Sequence, residues 1–237
     1  MYKWRYEELE AINCPSCTST LRTFLTTRSD GLNLELCSHC KLAYISPQPS
    51  LSQLKEFYSL GYFEGKSDFH RNQDYFALRT PTDAVITGQE LLEPHIVPGK
   101  SNILEIGCAD GALLRRAMAK GAKSVAGIEL DPKAAHYCQT VNNIKVHCGS
   151  FEDFLPDKKY DLIIAIDLIE HLKSIRKFMT FCTDNLSHKG KLIGITPNAG
   201  AYRKWKSAWQ GLHSNPEHLL YFDQNSLNNA AKSVGLE

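Results

Sequence analysis

Between Ser101 and Asn198 short apolar runs alternate with helical patterns, and this alternation restricts the fold more than any other feature of the chain. Asn102–Ile106 reads as a strand running into glycine, and Ala112–Ala119 has helical spacing closed by Gly121. Ser124–Glu129 reads as a second strand, followed by Asp131 and Pro132, an N-cap and first-turn pair. Residues 145–148 form a third strand. Tyr160–Ile166 is a fourth, apolar almost throughout, as expected of a parallel strand buried on both faces. A helix over 168–185 and a fifth strand over 190–196 complete the series. Strands separated by helices imply an α/β fold with a doubly wound, Rossmann-like parallel sheet.

The loop after the first strand carries the main chemical signal. It reads Glu105-Ile106-Gly107-Cys108-Ala109-Asp110-Gly111, with glycines where a tight turn must approach a ligand at the carboxyl edge of the sheet. It lacks the G-x-G-x-x-G dinucleotide fingerprint, and its acids suit an ammonium group and repel a pyrophosphate. Glu129 ends the second strand 18 positions after Gly111, where an acid can accept both hydroxyls of a ribose. A purely structural role as a helix cap is the alternative, although Asp131 is better placed for it. Gly149-Ser150-Phe151-Glu152 follows the third strand, where an aromatic ring and an acid suit an adenine.

In these segments the chain resembles the class I S-adenosylmethionine-dependent methyltransferases. The matching stretches are LEIGCADG (104–111), VAGIELDP (125–132), GSFEDF (149–154), YDLIIAIDLIEHL (160–172) and GKLIGITPN (190–198). The resemblance implies that Gly107, Cys108 and Gly111 line the methionine and ribose portions of the cofactor, and that Glu105 and Asp110 order the loop near its amino group. Glu129 would bind the ribose, with Phe151 and Glu152 at the adenine and Asp167 counted with the cofactor residues. Ala109 stands where many members have glycine, a mild change because alanine still permits close packing.

Two groups are candidates for acid–base work. Asp167, Glu170 and His171 have i, i+3, i+4 spacing and would share one helix face, as a general base, as a divalent-metal (Mg²⁺) site, or as locally bonded structural residues. PEHLLYFD (216–223) resembles a stretch of the zinc-containing sugar C-methyltransferases, which places Glu217 and His218 at the methyl acceptor and Asn215 at a partner position. His218 is the first choice of base and His171 the second. Packing or capping is the structural alternative for His218.

Four of the eight cysteines fall in close pairs, Cys14/Cys17 and Cys37/Cys40, with 19 residues between the inner two. That is the spacing of a four-cysteine zinc ribbon, in which Zn²⁺ supplies folding energy and His39 is only a turn residue. The knuckle resembles those preceding bacterial methyltransferases of polysaccharide and secondary-metabolite pathways, which normally show glycine at the position of Lys41. The first fifty residues carry five basic and five acidic side chains and so lack the basic stripe of an RNA-binding surface, while Lys189, Lys191, Arg203, Lys204 and Lys206 form a local basic group compatible with the phosphate of a nucleotide sugar or a modest RNA contact.

The expected organisation is a zinc ribbon over 1–49, a helical linker or lid over 50–100, and a methyltransferase domain over 101–237 that stops where its last two strands should begin. The expected activity is methyl transfer from S-adenosylmethionine to an oxygen or carbon of a small molecule, plausibly a nucleotide-linked sugar. An RNA-modifying methyltransferase and a non-catalytic S-adenosylmethionine-binding scaffold are the alternatives. The partner is a small-molecule acceptor and not nucleic acid or a membrane. No leader or apolar run of spanning length is visible, and the expected compartment is the reducing cytoplasm.

Overall fold

The structure is a computed structural model that describes residues 3–59 and 87–236. The chain groups into two compact units, one made of residues 1–75, 169–179 and 196–237, the other of 76–168 and 180–195. The part of the expected linker over 60–86 lies outside the described residues.

The cysteine-bearing unit is built on an antiparallel sheet ordered β1 (Arg22–Thr27), β2 (Asn33–Cys37), β3 (Ala43–Ile45) and β9 (Leu220–Tyr221). The fourth strand comes from the far end of the chain: Ala43 pairs with Tyr221 and Tyr44 with Leu220. A two-residue strand has no period of its own, so sequence patterning does not reveal it. Leu32, Leu34, Leu42, Tyr44, Ile45, Leu219 and Phe222 are buried here. At roughly 1.5–3 kcal/mol per fully buried large side chain, they form a sizeable core for so small a sheet. Helix α1 (Leu51–Ser59) places Phe57 against Trp4, with ring centroids 5.8 Å apart. Helix α6 (Gln224–Lys232) begins with a capping box in which Asp223 and Ser226 each bond the other's backbone N–H.

The sheet unit has five parallel strands in the order β6 (Val146–Cys148), β5 (Ser124–Glu129), β4 (Asn102–Ile106), β7 (Tyr160–Ile166), β8 (Leu186–Ile195). From β4 the chain winds outward to β6, then crosses back to place β7 on the other side of β4. The crevice at the carboxyl ends of β4 and β7 is therefore the topological switch point. Helix α3 (Ala112–Ala119) buries Leu113, Leu114 and Ala117 in a core with Ile103, Leu162, Ile164 and Ile193. Helix α4 (Pro132–Val141) starts as its sequence dictates: Asp131 accepts from the N–H groups of Lys133 and Ala134, and Pro132 takes the first helical position. A short α2 (Gln89–Leu92) buries Leu92 in the same core. The expected α/β fold with a parallel doubly wound sheet is what the chain adopts.

Two expected elements differ; the fifth strand, expected over 190–196, begins earlier and runs Leu186–Ile195. Residues 168–185 are not one helix: a 3₁₀ turn covers Ile169–His171, and α5 begins at Ile175. Asp167 sits at φ +46°, outside helical space, and the Ser174 hydroxyl accepts from the N–H of Lys177, starting the helix afresh. Asp167, Glu170 and His171 therefore do not share a helix face.

Candidate active site and metal centre

Three loops of the sheet unit meet at the carboxyl edge. The N–H groups of Gly107 and Cys108 donate to the carbonyl of Ile128 at 2.8 and 3.2 Å, which ties the loop after β4 to the end of β5. The N–H of Gly149 donates to the carbonyl of Glu129 at 2.8 Å, which ties in the loop after β6. Within the first loop the backbone is left-handed at alternate positions, Gly107 (φ +75°), Ala109 (φ +47°) and Gly111 (φ +73°). Glycine is required most at Gly111, where an added Cβ would lie 2.3 Å from the Cys138 sulfur.

Glu129 organises this edge. It is buried, with Oε2 accepting from the N–H of Ala109 at 2.8 Å and Oε1 from that of Asp131 at 2.9 Å. Burial raises its pKa against the two amide bonds that oppose the rise. Each oxygen has a further lone pair, so the carboxylate can hold the loop and still accept a hydroxyl. Glu129 thus ties the loop after β4 to the start of α4, and its position at the end of β5 leaves the expected ribose role open to it.

The other expected cofactor residues lie on the loops and strand ends at this edge. Glu105 and Asp110 are buried, and Asp110 Oδ1 accepts from the N–H of Ala112 at 3.2 Å, closing the turn into α3. Cys108 is buried, and its thiol pKa is driven well up, by the hydrogen bond to Cys138 and by burial, so it is a small unreactive side chain. Phe151 is buried against Phe181, centroids 5.5 Å apart, whereas Glu152 is exposed. Asp167 follows the last residue of β7 and is exposed, with enough of its carboxyl desolvated to raise its pKa. The loop backbone is fixed, its side chains are small, and a buried carboxylate closes one end. These features fit the sulfonium nucleoside that the sequence implies.

In the cysteine-bearing unit, the sulfurs of Cys14, Cys17, Cys37 and Cys40 all lie within 4.8 Å of one another, with Cys14–Cys40 at 3.4 Å and Cys17–Cys37 at 3.5 Å. Zn–S bonds of ~2.3 Å in a tetrahedron place sulfurs ~3.8 Å apart, so the four fit a zinc ion. The two turns repeat one geometry: Thr18 N–H donates to the Cys14 carbonyl at 2.9 Å, and Lys41 N–H to the Cys37 carbonyl at 3.2 Å. The residue after each second cysteine is left-handed, Thr18 at φ +62° and Lys41 at φ +65°. This accounts for the glycine usual at the latter position. The hydrogen bond between Cys14 and Cys40 raises the pKa of the first thiol and lowers that of the second to about 5. His39 is exposed.

The same unit brings Glu170, His171 and His218 together, with ligating atoms all within 4.8 Å of one another. The two imidazoles meet edge to face at 4.8 Å. Each member is held from outside the trio. Thr196 Oγ1 donates to Glu170 Oε2 at 2.8 Å, Tyr58 Oη lies 3.0 Å from His171 Nδ1, and Asn215 Nδ2 lies 3.0 Å from His218 Nε2. Burial, with His171 and Arg28 nearby, pushes His218 down to about 2, so it is a neutral imidazole at any working pH. Glu217 is buried. Sequence reading pairs Glu170 and His171 with Asp167, whereas the trio that forms has His218 as its third member. Tyr58, Thr196 and Arg28 carry no local sequence signal, since they meet the site only through long-range contacts. Two imidazoles and one carboxylate suit a borderline metal better than Mg²⁺, which prefers oxygen ligands and water. Among the described residues, the trio and the four cysteines are the groups of three or more such side chains close enough to share an ion.

The methyltransferase domain family matches residues 71–237, more than half of the chain. The chain belongs to that family. Among curated relatives, the ubiquinone biosynthesis O-methyltransferase of Rickettsia bellii (strain OSU 85-389) is 29% identical over 100 residues, 40% of this chain and 42% of that protein. The protein of the same name from Bradyrhizobium sp. (strain ORS 278) is 28% identical over 112 residues, 44% and 42% of the two chains. The chain thus spans about two fifths of the length of these relatives. Among solved structures, a TehB-like SAM-dependent methyltransferase from Corynebacterium glutamicum superposes with a TM-score of 0.52 at 17% identity, covering 78% of this chain and 85% of that one. The YcgJ protein from Bacillus subtilis does so with 0.51 at 13% identity, covering 62% and 67%. These likenesses bear on the fold. No helix among the described residues is long and apolar enough to cross a membrane.

Proposed function

We propose that the chain is an S-adenosylmethionine-dependent methyltransferase acting on an oxygen or carbon of a small molecule, a nucleotide-linked sugar or comparable biosynthetic intermediate. The observation that carries this reading is Glu129, a buried carboxylate joined to the left-handed loop 107–111 at the switch point of the sheet. When bound, S-adenosylmethionine supplies an electrophilic methyl group on a sulfonium centre. Glu129 would accept its ribose hydroxyls, Gly107, Cys108 and Gly111 would line its methionine and ribose portions, and Phe151 with Glu152 would bound the adenine.

Transfer is an in-line displacement, so the remaining work is to align the acceptor and remove its proton. His171 and His218 are the acid–base pair in this reading, and Glu170 and Glu217 are the carboxylates beside them. Burial, and the nearness of the His171 ring and of Arg28, hold His218 neutral. The likeness to O-methyltransferases supports transfer to oxygen, and the resemblance of residues 216–223 to sugar C-methyltransferases supports carbon. Zn²⁺ on the four cysteines is structural, since a tetrathiolate leaves no open position.

A methyl-transfer screen with labelled S-adenosylmethionine over nucleotide sugars, catechols and bulk RNA tests this reading. Label in a small molecule that vanishes in His218→Ala supports it. Label only in RNA would replace the substrate assignment, and label in none would overturn it.

A further inference from the structure

We propose that Arg28 is a positioning residue for the segment carrying Glu217 and His218, and that through it the metal-bearing ribbon sets the geometry of the acid–base pair. The inference rests on the functional reading above for what the histidines do, but not for the clamp itself.

Arg28 begins the turn from β1 to β2, where its N–H donates to the Leu32 carbonyl at 2.8 Å and its carbonyl accepts from Gly31 at 3.0 Å. Its side chain is almost fully buried, an unusual place for a guanidinium. On one side the fork is neutralised by Asp30: Nε donates to Oδ1 at 3.0 Å and Nη2 to Oδ2 at 2.5 Å. On the other it spends its donors on one distant segment. Nη1 donates to the His218 carbonyl at 2.7 Å and the Tyr221 hydroxyl at 2.9 Å, and Nη2 to the Pro216 carbonyl at 2.8 Å. The next residue adds a contact, with Ser29 N–H donating to His213 Nδ1 at 3.1 Å.

Burying an ion pair is a poor route to stability, because desolvation offsets most of the attraction. What the arrangement does give is definition. A planar fork with five donors fixes three acceptors of one loop in fixed directions, which neither a lysine nor an apolar pair can do. One of those acceptors is the carbonyl of His218 itself. Two further bonds hold the residue after it, with Ile45 N–H donating to the Leu219 carbonyl at 2.8 Å and Leu219 N–H to the Glu170 carbonyl at 2.7 Å. The cysteine turns fix the hairpin, the hairpin holds Arg28, and Arg28 with β3 holds His218 against His171. On this account the ribbon is part of the acceptor machinery and not a nucleic-acid appendage.

The test compares full-length wild type with Arg28→Lys, Arg28→Met and Tyr221→Phe, the last removing only one acceptor. Amide hydrogen exchange is followed by mass spectrometry at a temperature where circular dichroism shows every compared protein folded. Exchange across 213–222 is expected to rise on the order of tenfold or more in both Arg28 variants and less in Tyr221→Phe. Exchange across 101–148 and zinc content should not change. Unchanged exchange across 213–222 in Arg28→Lys and Tyr221→Phe would overturn the clamp, whether or not Arg28→Met folds. For methyl transfer, kcat should fall at least ~10-fold in Arg28→Lys, with KM for S-adenosylmethionine within about twofold. A kcat that stays at the wild-type value while exchange rises would overturn the positioning role. A wild type that transfers no methyl group would overturn the functional reading, and the exchange result would still decide the clamp.

Discussion

Replacing Gly111 by alanine is expected to destabilise the sheet unit by about 2–5 kcal/mol, from two separable sources. The first is backbone conformation: at φ +73° and ψ +19° an L side chain costs roughly 1–2 kcal/mol. The second is steric. The new Cβ would lie 2.3 Å from Cys138 Sγ and 3.3 Å from Ile144 Cδ1, whereas non-bonded heavy atoms settle at about 3.5–4.0 Å. Cys138 is fully buried on α4, whose start is fixed by the Asp131 cap, so relief requires repacking at about 1–3 kcal/mol. All three tryptophans, Trp4, Trp205 and Trp209, belong to the other unit, so their fluorescence does not report this region. Urea unfolding is therefore best followed by hydrogen exchange of peptides within 101–148, together with circular dichroism. At ~2–4 °C per kcal/mol the melting point should fall by about 4–20 °C. Adding Cys138→Ala should remove the steric part and leave the backbone part, a coupling of about 1–3 kcal/mol. A Gly111→Ala protein within about 0.5 kcal/mol of wild type, or a double variant without rescue, would refute the reasoning.

Other expectations follow from neighbouring residues. Ala109→Gly relieves a left-handed alanine at φ +47° and should be neutral or stabilising by up to about 1 kcal/mol. Ala109→Val, with a branched Cβ at the same φ, should destabilise by more than 1 kcal/mol, read as melting temperatures. Cys14→Ser should lower zinc content from about one equivalent per chain to near zero, and strong chelators should unfold the ribbon, read by atomic emission and circular dichroism. For pH, Glu129 has its folded-state pKa raised by burial, so it ionises less readily in the folded protein than in the unfolded chain. Its contribution to stability is therefore complete below the unfolded value and lost as pH rises through the raised one. Ribose hydroxyls bind the ionised form, so the melting-temperature gain from S-adenosylhomocysteine should shrink as pH falls through that raised pKa. The loss should occur at a higher pH than an exposed glutamate would give.

Much of the sheet unit is legible in the sequence because its elements depend on local rules. The strands Asn102–Ile106, Ser124–Glu129 and Tyr160–Ile166 are apolar runs closed by turn residues, and Asp131-Pro132 announces its helix, so the boundaries agree with the structure. Where a long-range effect decides, pattern reading stops. Ile169–His171 has a helix-compatible composition, yet left-handed Asp167 before it and the Ser174 cap after it divide the segment. Strand β3 is completed by a two-residue strand about 180 positions away, which no periodicity announces. In the candidate site, the cysteine spacing foretells a cluster because four thiolates at knuckle spacing have few other arrangements. The pairing of His171 with His218 and the burial of Arg28 depend on contacts 47 to 193 positions apart. As a sequence feature Arg28 is only one positive charge among 27, and its function is set by what surrounds it.

The most direct test of the central claim is equilibrium dialysis of the purified protein against labelled S-adenosylmethionine, with Glu129→Ala alongside. Each hydrogen bond from a hydroxyl to a carboxylate contributes about 1.5–3 kcal/mol, so losing two should weaken binding on the order of 100-fold or more. The account predicts about one equivalent bound per chain and that loss in the variant. No binding at millimolar ligand, or binding indifferent to Glu129, would contradict it.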